Sequence, residues 1–343
     1  MNKSLGRINT DQGAKRIKID QKDKRILTSI TNDSRIPLTK IAKSVALSRD
    51  AVNYRIERLK KNEVILRFFP RISYELLGFF IFHVFFRVSE KNKEKQKDLL
   101  DFLTKHKNVF SVIGYNDKWD LEVSLIARDL LEYDQIFYEI LSFNDVIVER
   151  DKVEVIKRYT VKYLPKLIAH KEEKIEKLIS QTNSVKLDEM DFKILRCLSE
   201  NSRESSYYIG ERVNLSSDAV INRIKNLVSI GVIKGFTSLI NLSKLGFYWY
   251  TFALRMGIYD HSLESKVEEF VRQNDNIIRA VKTLGEWDFL FYMCVENPNK
   301  FHELIKKVKE VFAKEIKNYD VWLAYKEHYF NPFPEVLADA TNL

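Results

Sequence analysis

The chain is poor in the residues that punctuate or staple structure. Of its 343 residues, two are cysteine, six proline and ten glycine. Cys197 and Cys294 are too few for a disulfide framework or a four-ligand zinc site, so a reduced, cytoplasmic setting and no metal are expected. So little glycine and proline excludes a collagen-like or low-complexity chain. Long apolar runs are missing too. The longest, from Leu76 to Phe86, is too short to span a bilayer and is broken by His83, so no membrane partner is expected. The first residues are polar and basic rather than signal-like. There is no glycine-rich phosphate loop, no nucleophile elbow and no His-Glu-x-x-His motif, so neither catalytic residues nor a cofactor are expected. What is present is 45% hydrophobic and 31% charged residues, with a net charge of +9. That supports a buried core and favours a polyanionic partner.

The chain also repeats itself. At a constant offset of 168, residues 19–79 align without a gap on 187–247, with 23 of 61 positions identical. Shared positions include Asp20/Asp188, Ser34-Arg35/Ser202-Arg203, Leu47-Ser48/Leu215-Ser216 and Arg55-Ile56/Arg223-Ile224. The offset persists through Trp119-Asp120/Trp287-Asp288 to Val153/Val321. Such self-similarity marks a duplicated structural unit.

The first third of each copy reads as three helices. In copy one these are Gln21–Thr31, capped by Asp20; Leu38–Val45, opened by Pro37; and Arg49–Asn62, capped by Ser48. Ala51, Val52, Ile56 and Leu59 give the third helix an apolar stripe. Two short helices, a tight turn and a longer capped helix form a helix-turn-helix, which Val64–Ile72 extends with a small β wing. The opposite face of the third helix offers donors to a DNA groove. The expected DNA contacts are Ser48, Arg49, Asp50, Asn53, Tyr54, Arg55, Arg58, Lys60 and Lys61. Arg49 and Asn53 suit base edges, and Arg58, Lys60 and Lys61 suit phosphates. Arg55, beside the stripe, suits either a phosphate or an internal anchor. Copy two offers Ser217, Asn222, Arg223 and Lys225, with Ile221 and Asn226 in place of Asn53 and Arg58. The third helix carries a net charge of +3 in copy one and +1 in copy two, so the first is expected to dominate binding to double-stranded DNA.

The remainder of each copy alternates strands and helices as β-α-β-β-α-β. In copy one these are Phe79–Val88, Lys93–His106, Val109–Tyr115, Trp119–Ala127, Leu130–Leu141 and Glu149–Tyr163. In copy two they are Tyr248–Met256, Glu264–Gln273, Ile277–Leu284, Trp287–Val295, Lys300–Ala313 and Asn318–Tyr329. The fold class is therefore α+β: two winged helix-turn-helix domains, each followed by a ferredoxin-like domain. The expected boundaries are a basic arm over 1–18, the first pair of domains over 19–75 and 76–164, an amphipathic helical linker over 165–186, the second pair over 187–243 and 244–330, and a short tail over 331–343.

With "NSRESSYYIGERVNLSSDAVINRIKNL" and "GEWDFLF" in copy two, and "NDSRIPLTKIAKSVALSRDAVNYRIERLKKNEVI" and "WDLEV" in copy one, the chain resembles the Lrp/AsnC family of transcriptional regulators, twice over. That family carries one such unit per chain, so the tandem arrangement departs from it. The resemblance implies that the two sheet (RAM) domains pair with each other inside one chain, with further homo-oligomers to be expected. It also implies that an amino-acid effector binds near a Gly-x-aromatic-Asp hairpin. Copy two keeps Gly285, Trp287 and Asp288; copy one keeps Trp119 and Asp120 but has Asp117 at the glycine position. The other reading of these residues is a hairpin glycine and turn acceptors. The sequence also admits three rival functions. One is a protein-binding winged helix. Another is an architectural DNA-coating protein. The last is a siroheme-decarboxylase-like enzyme, which would need placed His or Arg residues in the sheet domains.

Overall fold

The computed structural model describes residues 6–10, 16–165, 185–260 and 262–339. The expected linker helix lies outside the described residues.

Copy one begins with α1 (Gln21–Asn32), α2 (Leu38–Val45) and α3 (Arg49–Lys61). Asp20 opens α1 with a reciprocal capping box to Asp23, and the Ser48 side chain accepts from the Ala51 amide at the start of α3. Between α2 and α3 the chain turns through Ala46 in the left-handed region, φ 51°. Then follow β1 (Ile65–Ile72), β2 (Phe80–Val88), α4 (Lys93–Lys105), β3 (Val109–Tyr115), β4 (Leu121–Ala127), α5 (Leu130–Leu141) and β5 (Ile147–Val161). Copy two repeats the order with α6 (Glu189–Glu200), α7 (Ser206–Val213), α8 (Ser217–Ser229), β6 (Ile233–Ile240), β7 (Tyr248–Met256), α9 (Leu263–Gln273), β8 (Ile277–Gly285), β9 (Phe289–Val295), α10 (Pro298–Val311) and β10 (Ile316–Phe330). Asn214 takes the left-handed turn position that Ala46 holds in copy one. A short helix, α11 (Val336–Asp339), ends the described chain.

The expected wing is a single strand in each copy, and the other copy completes it. β1 pairs antiparallel with β6 in a two-stranded sheet. Each three-helix unit also packs on the connector of the other copy. Ile26, Leu27 and Ile56 share a core with Ile240, Leu242 and Phe247, while Leu195, Leu198 and Leu227 share one with Ile72, Leu76 and Phe79.

The sheet domains close on each other within the chain. Each four-stranded sheet has the ferredoxin-like order, β3-β4-β2-β5 and β8-β9-β7-β10. The seams β5–β8 and β10–β3 join them into one closed eight-stranded sheet. Strand alternation sorts the side chains. Phe82, Val84 and Phe86 of β2 face the outer helices α4 and α5, whereas Phe85 joins the interior with Trp119, Trp249, Trp287 and Trp322. Leaving one face of each sheet bare would expose that aromatic interior; closure buries both at once.

Described residues within the expected arm and tail are packed against the folded units. Residues 6–10 run beside β10, with Ile8 buried and the Arg7 guanidinium paired with the buried Glu327 carboxylate. Phe333, Val336 and Leu337 fill the core of the second three-helix unit, and Glu335 pairs with Arg196. Arg7 is therefore consumed inside the fold and is not a free DNA contact.

Candidate nucleic-acid interface

Ser48, Arg49, Asp50, Asn53, Tyr54, Lys60 and Lys61 are all exposed along α3, and Tyr54 is 70% exposed. Arg49 and Lys61 have no ion pair among the described residues. Lys60 holds Glu57 at 3.0 Å on the helix surface. Two other arginines are tied back. Arg55 Nη1 donates to Asp20 and Asp23, both at 2.8 Å, and Arg58 Nη2 donates to Asp23 at 2.5 Å. Asp23 is buried, so these bonds fix α3 to α1. The Asp23 backbone amide, reinforced by Arg55, holds the Asp20 carboxyl below its ordinary range. Arg55 thus takes the anchoring role of its two sequence readings, and Arg58 combines anchoring with partial exposure.

The counterpart face on α8 is different. Arg223 Nη1 donates to Asp188 at 2.7 Å and Asp191 at 2.9 Å, which leaves Lys225 as the exposed cation of that helix, beside Asn222 and half-buried Ser217. Ile221 and Val228 stand exposed where α3 has Asn53 and Lys60.

One contact set, at positions shared by the two copies, fixes the two helix-turn-helix units against each other. Ser34 Oγ and Ser202 Oγ, both fully buried, meet at 2.6 Å. Arg35 donates to the Ser202 carbonyl at 2.6 Å, and Arg203 donates to the Ser34 carbonyl at 2.5 Å. Each guanidinium lies 5.5 Å from a phenylalanine ring of the other copy, Arg35 over Phe236 and Arg203 over Phe68. Every pair is related by the offset of 168, so an approximate two-fold axis passes between the serines. Arg35→Ala and Arg203→Ala should each cost about 1.5–3 kcal/mol of stability, for lost charged hydrogen bonds to carbonyls. The two costs should agree within about 0.5 kcal/mol, because the contacts are equivalent. Urea unfolding of each variant measures both.

The hairpin residues close the barrel. Asp120 Oδ2 accepts from the Val88 amide and Asp288 Oδ2 from the Met256 amide, each at 2.6 Å. Trp119 and Trp287 are buried, and Lys118 Nζ lies 5.3 Å from both rings. Gly285 pairs with Val153 across the β5–β8 seam at φ 151°, where a Cβ would lie 2.5 Å from the Lys152 carbonyl oxygen. In copy one, Asp117 stands at that position and accepts from the Leu323 amide of β10 at 2.6 Å. These are the turn-acceptor and close-approach roles. Gly285→Ala should therefore destabilise by about 1–3 kcal/mol, read as a lowered melting temperature.

Sequence reasoning missed the polar centre between the two sheets. His83 and Glu122 of copy one are fully buried, with Nδ1 2.6 Å from Oε1. Arg279 of copy two donates to His83 Nε2 at 3.0 Å, so Nδ1 carries the proton and donates to Glu122. Tyr115 and Tyr292 donate to the same carboxylate at 2.6 and 2.7 Å, and Tyr115 also meets Thr251 at 2.7 Å. Burial works against ionisation of Glu122, but the bonds from His83, Tyr115 and Tyr292 outweigh it and hold the carboxyl below its ordinary value. Burial pushes the His83 imidazole below its ordinary value, against the pull of Glu122. The available signals were single polar residues, His83 and Glu122, inside apolar strands. Among the described residues no cluster of His, Cys, Asp or Glu could hold a metal, and no helix is long and apolar enough to cross a membrane. Both cysteines are buried.

Two helix-turn-helix units, braced about an approximate two-fold axis and carried on a shared ferredoxin-like sheet, define a DNA-binding regulator. The AsnC-type helix-turn-helix domain model matches twice, at residues 19–60 and 187–228. The leucine-responsive regulatory protein of Rhizobium meliloti (strain 1021) is 31% identical over 134 residues, 38% of this chain and 83% of that protein. The HTH-type transcriptional regulator Ptr1 of Methanocaldococcus jannaschii is 39% identical over 105 residues, 30% of this chain and 68% of that protein. This chain belongs to the Lrp/AsnC family, as a tandem duplication of its unit. Among solved structures, the siroheme decarboxylase NirDL covers 94% of this chain and 99% of its own, with a TM-score of 0.62 and 13% identity, and so shares the doubled fold.

Proposed function

We propose that the chain is a sequence-specific regulator of transcription that grips double-stranded DNA as a single-chain pseudo-dimer. The observation that carries this reading is the exposed α3 face. Arg49, Asn53, Tyr54 and Lys61 project from a helix anchored by Arg55 and Arg58, opposite a second helix held by the Ser34/Ser202 contact. Because α8 presents a weaker face, the preferred operator is an imperfect palindrome read mainly by α3. The protein acts in the cytoplasm without catalysing a reaction, and an amino-acid or related effector modulates it. Exposed Leu130, Leu131 and Tyr138 on α5 support further association of chains, which light scattering would detect.

Selection of bound duplexes from random DNA, followed by footprinting, tests the proposal. A discrete protected site supports the regulator, and uniform coating supports the architectural reading. No retention of duplex at about 50 mM salt rejects both. The doubled fold shared with NirDL keeps a siroheme-decarboxylase-like activity as the second reading. Against it, the half-buried Arg279 is engaged by His83, and the buried His83 in turn by Glu122. A visible spectrum of siroheme that shifts on mixing with the protein would favour the enzyme.

A further inference from the structure

A cleft of about 380 Å³ lies against the flank of α3 that faces copy two. Its walls are Asn53 and Ile56 of α3, Ile65 and Arg67 of β1, and Glu200 and Asn201 at the end of α6. The charges around it are already matched, with one exception. Lys60 holds Glu57 at 3.0 Å, and Arg212 holds Glu200 at 2.7 Å. Arg203, also on the rim, is spent on the Ser34 carbonyl. The Arg67 side chain makes no hydrogen bond or salt bridge among the described residues, although it is half-buried. Burial draws its guanidinium below the ordinary arginine value. The pull of Tyr329 and Glu200 on it is weaker than this desolvation, and a buried cation that no acceptor satisfies is costly until one arrives. Ile56 and Ile65 are core residues at the base of the cleft, and the half-buried side chains of Leu38 and Leu66 supply its apolar lining.

We propose that this cleft binds a small organic anion with an apolar body, a monocarboxylate, whose carboxylate is taken by Arg67 and whose body rests on Leu38 and Leu66. The volume suits a small molecule. The site occurs once per chain. The matching flank of copy two has Gly235 at the position of Arg67, with Arg71 Nη2 2.5 Å from where a Cβ would sit. A ligand here joins α3 to copy two directly beside Asn53. Its regulatory consequence rests on the DNA-binding reading; its binding does not.

The test is ligand-observed NMR on the full chain without DNA, using phenylacetate as the probe and phenylacetamide as its uncharged match. Saturation transfer to the acid and not the amide is expected. The affinity should fall about tenfold or more in Arg67→Gln and be partly kept in Arg67→Lys. Equal signals from acid and amide in the unaltered protein overturn the proposal whether or not the variants fold. So does acid binding that Arg67→Gln leaves unchanged. Absence of acid binding, with duplex affinity lowered in Arg67→Gln, makes the cleft a phosphate seat and also overturns it. A chain that binds phenylacetate but not duplex rejects only the DNA-binding reading.

Discussion

Glu122→Gln should destabilise the protein by about 3–5 kcal/mol, the cost of leaving a buried charge without its counter-ion. The carboxylate balances Arg279 through a neutral imidazole and accepts from both Tyr115 and Tyr292. An amide of the same shape brings a donor where three donors already converge and leaves the guanidinium uncompensated in the middle of the closed sheet. Removing the whole chain of charge together, as His83→Leu, Glu122→Met and Arg279→Met, should recover a large part of the loss, since apolar replacement of a buried ionic group is often neutral or better. The pH dependence follows from the same groups. The His83 imidazole titrates below its ordinary value in the folded protein, so below about pH 6.5 the unfolded chain binds a proton that the folded chain refuses. The Glu122 carboxyl is also held low, so the unfolded chain again binds the extra proton below about pH 4.5. Stability should therefore fall in two stages as pH drops. His83→Gln should remove its share of the upper stage, and Glu122→Gln its share of the lower. Melting temperatures across pH 3–8 measure both. A profile that neither substitution alters would rule this account out.

The second large effect concerns the nucleic-acid face. Arg49→Glu combined with Lys61→Glu should weaken duplex binding by about 100-fold and, through the phosphate contact of Lys61, reduce the slope of log affinity against log salt by about 1. Neither residue has an ion pair among the described residues, so the substitutions should leave the melting temperature nearly unchanged. Lys225→Glu on α8 should cost about fivefold, for one phosphate contact. Reversal of Arg55, Arg58 or Arg223 is a poor comparison, because those side chains hold α3 and α8 to their own first helices. Fluorescence anisotropy with labelled duplex at several salt concentrations gives affinity and slope together. Equal losses from α3 and α8 would contradict a binding face dominated by α3.

Much of this architecture was legible because local signals agreed with the tertiary outcome. The Asp20 and Ser48 caps, the α3 stripe and the β-α-β-β-α-β order all act over a few residues, and the elements lie within a few residues of where periodicity put them. What was not legible depended on contacts across the repeat. No local pattern says that β1 must find β6, or that Arg7 must reach Glu327 over more than three hundred residues. The shared Ser34-Arg35 and Ser202-Arg203 pairs were visible as repeat identities, but only the folded chain shows them facing each other. The hairpin illustrates the converse. Gly285, Trp287 and Asp288 were recognisable by type, yet strand closure accounts for all three. The exchange of Gly285 for Asp117 in copy one, odd as sequence, is answered by the Leu323 amide.

The seams β5–β8 and β10–β3 carry a consequence for mass action. A regulator built from separate subunits must first meet its twin, so its competence fades on dilution. Here the two halves are tethered and already mated. Occupancy of one operator should then climb hyperbolically with protein concentration, without a threshold, even when a cell holds only a few copies.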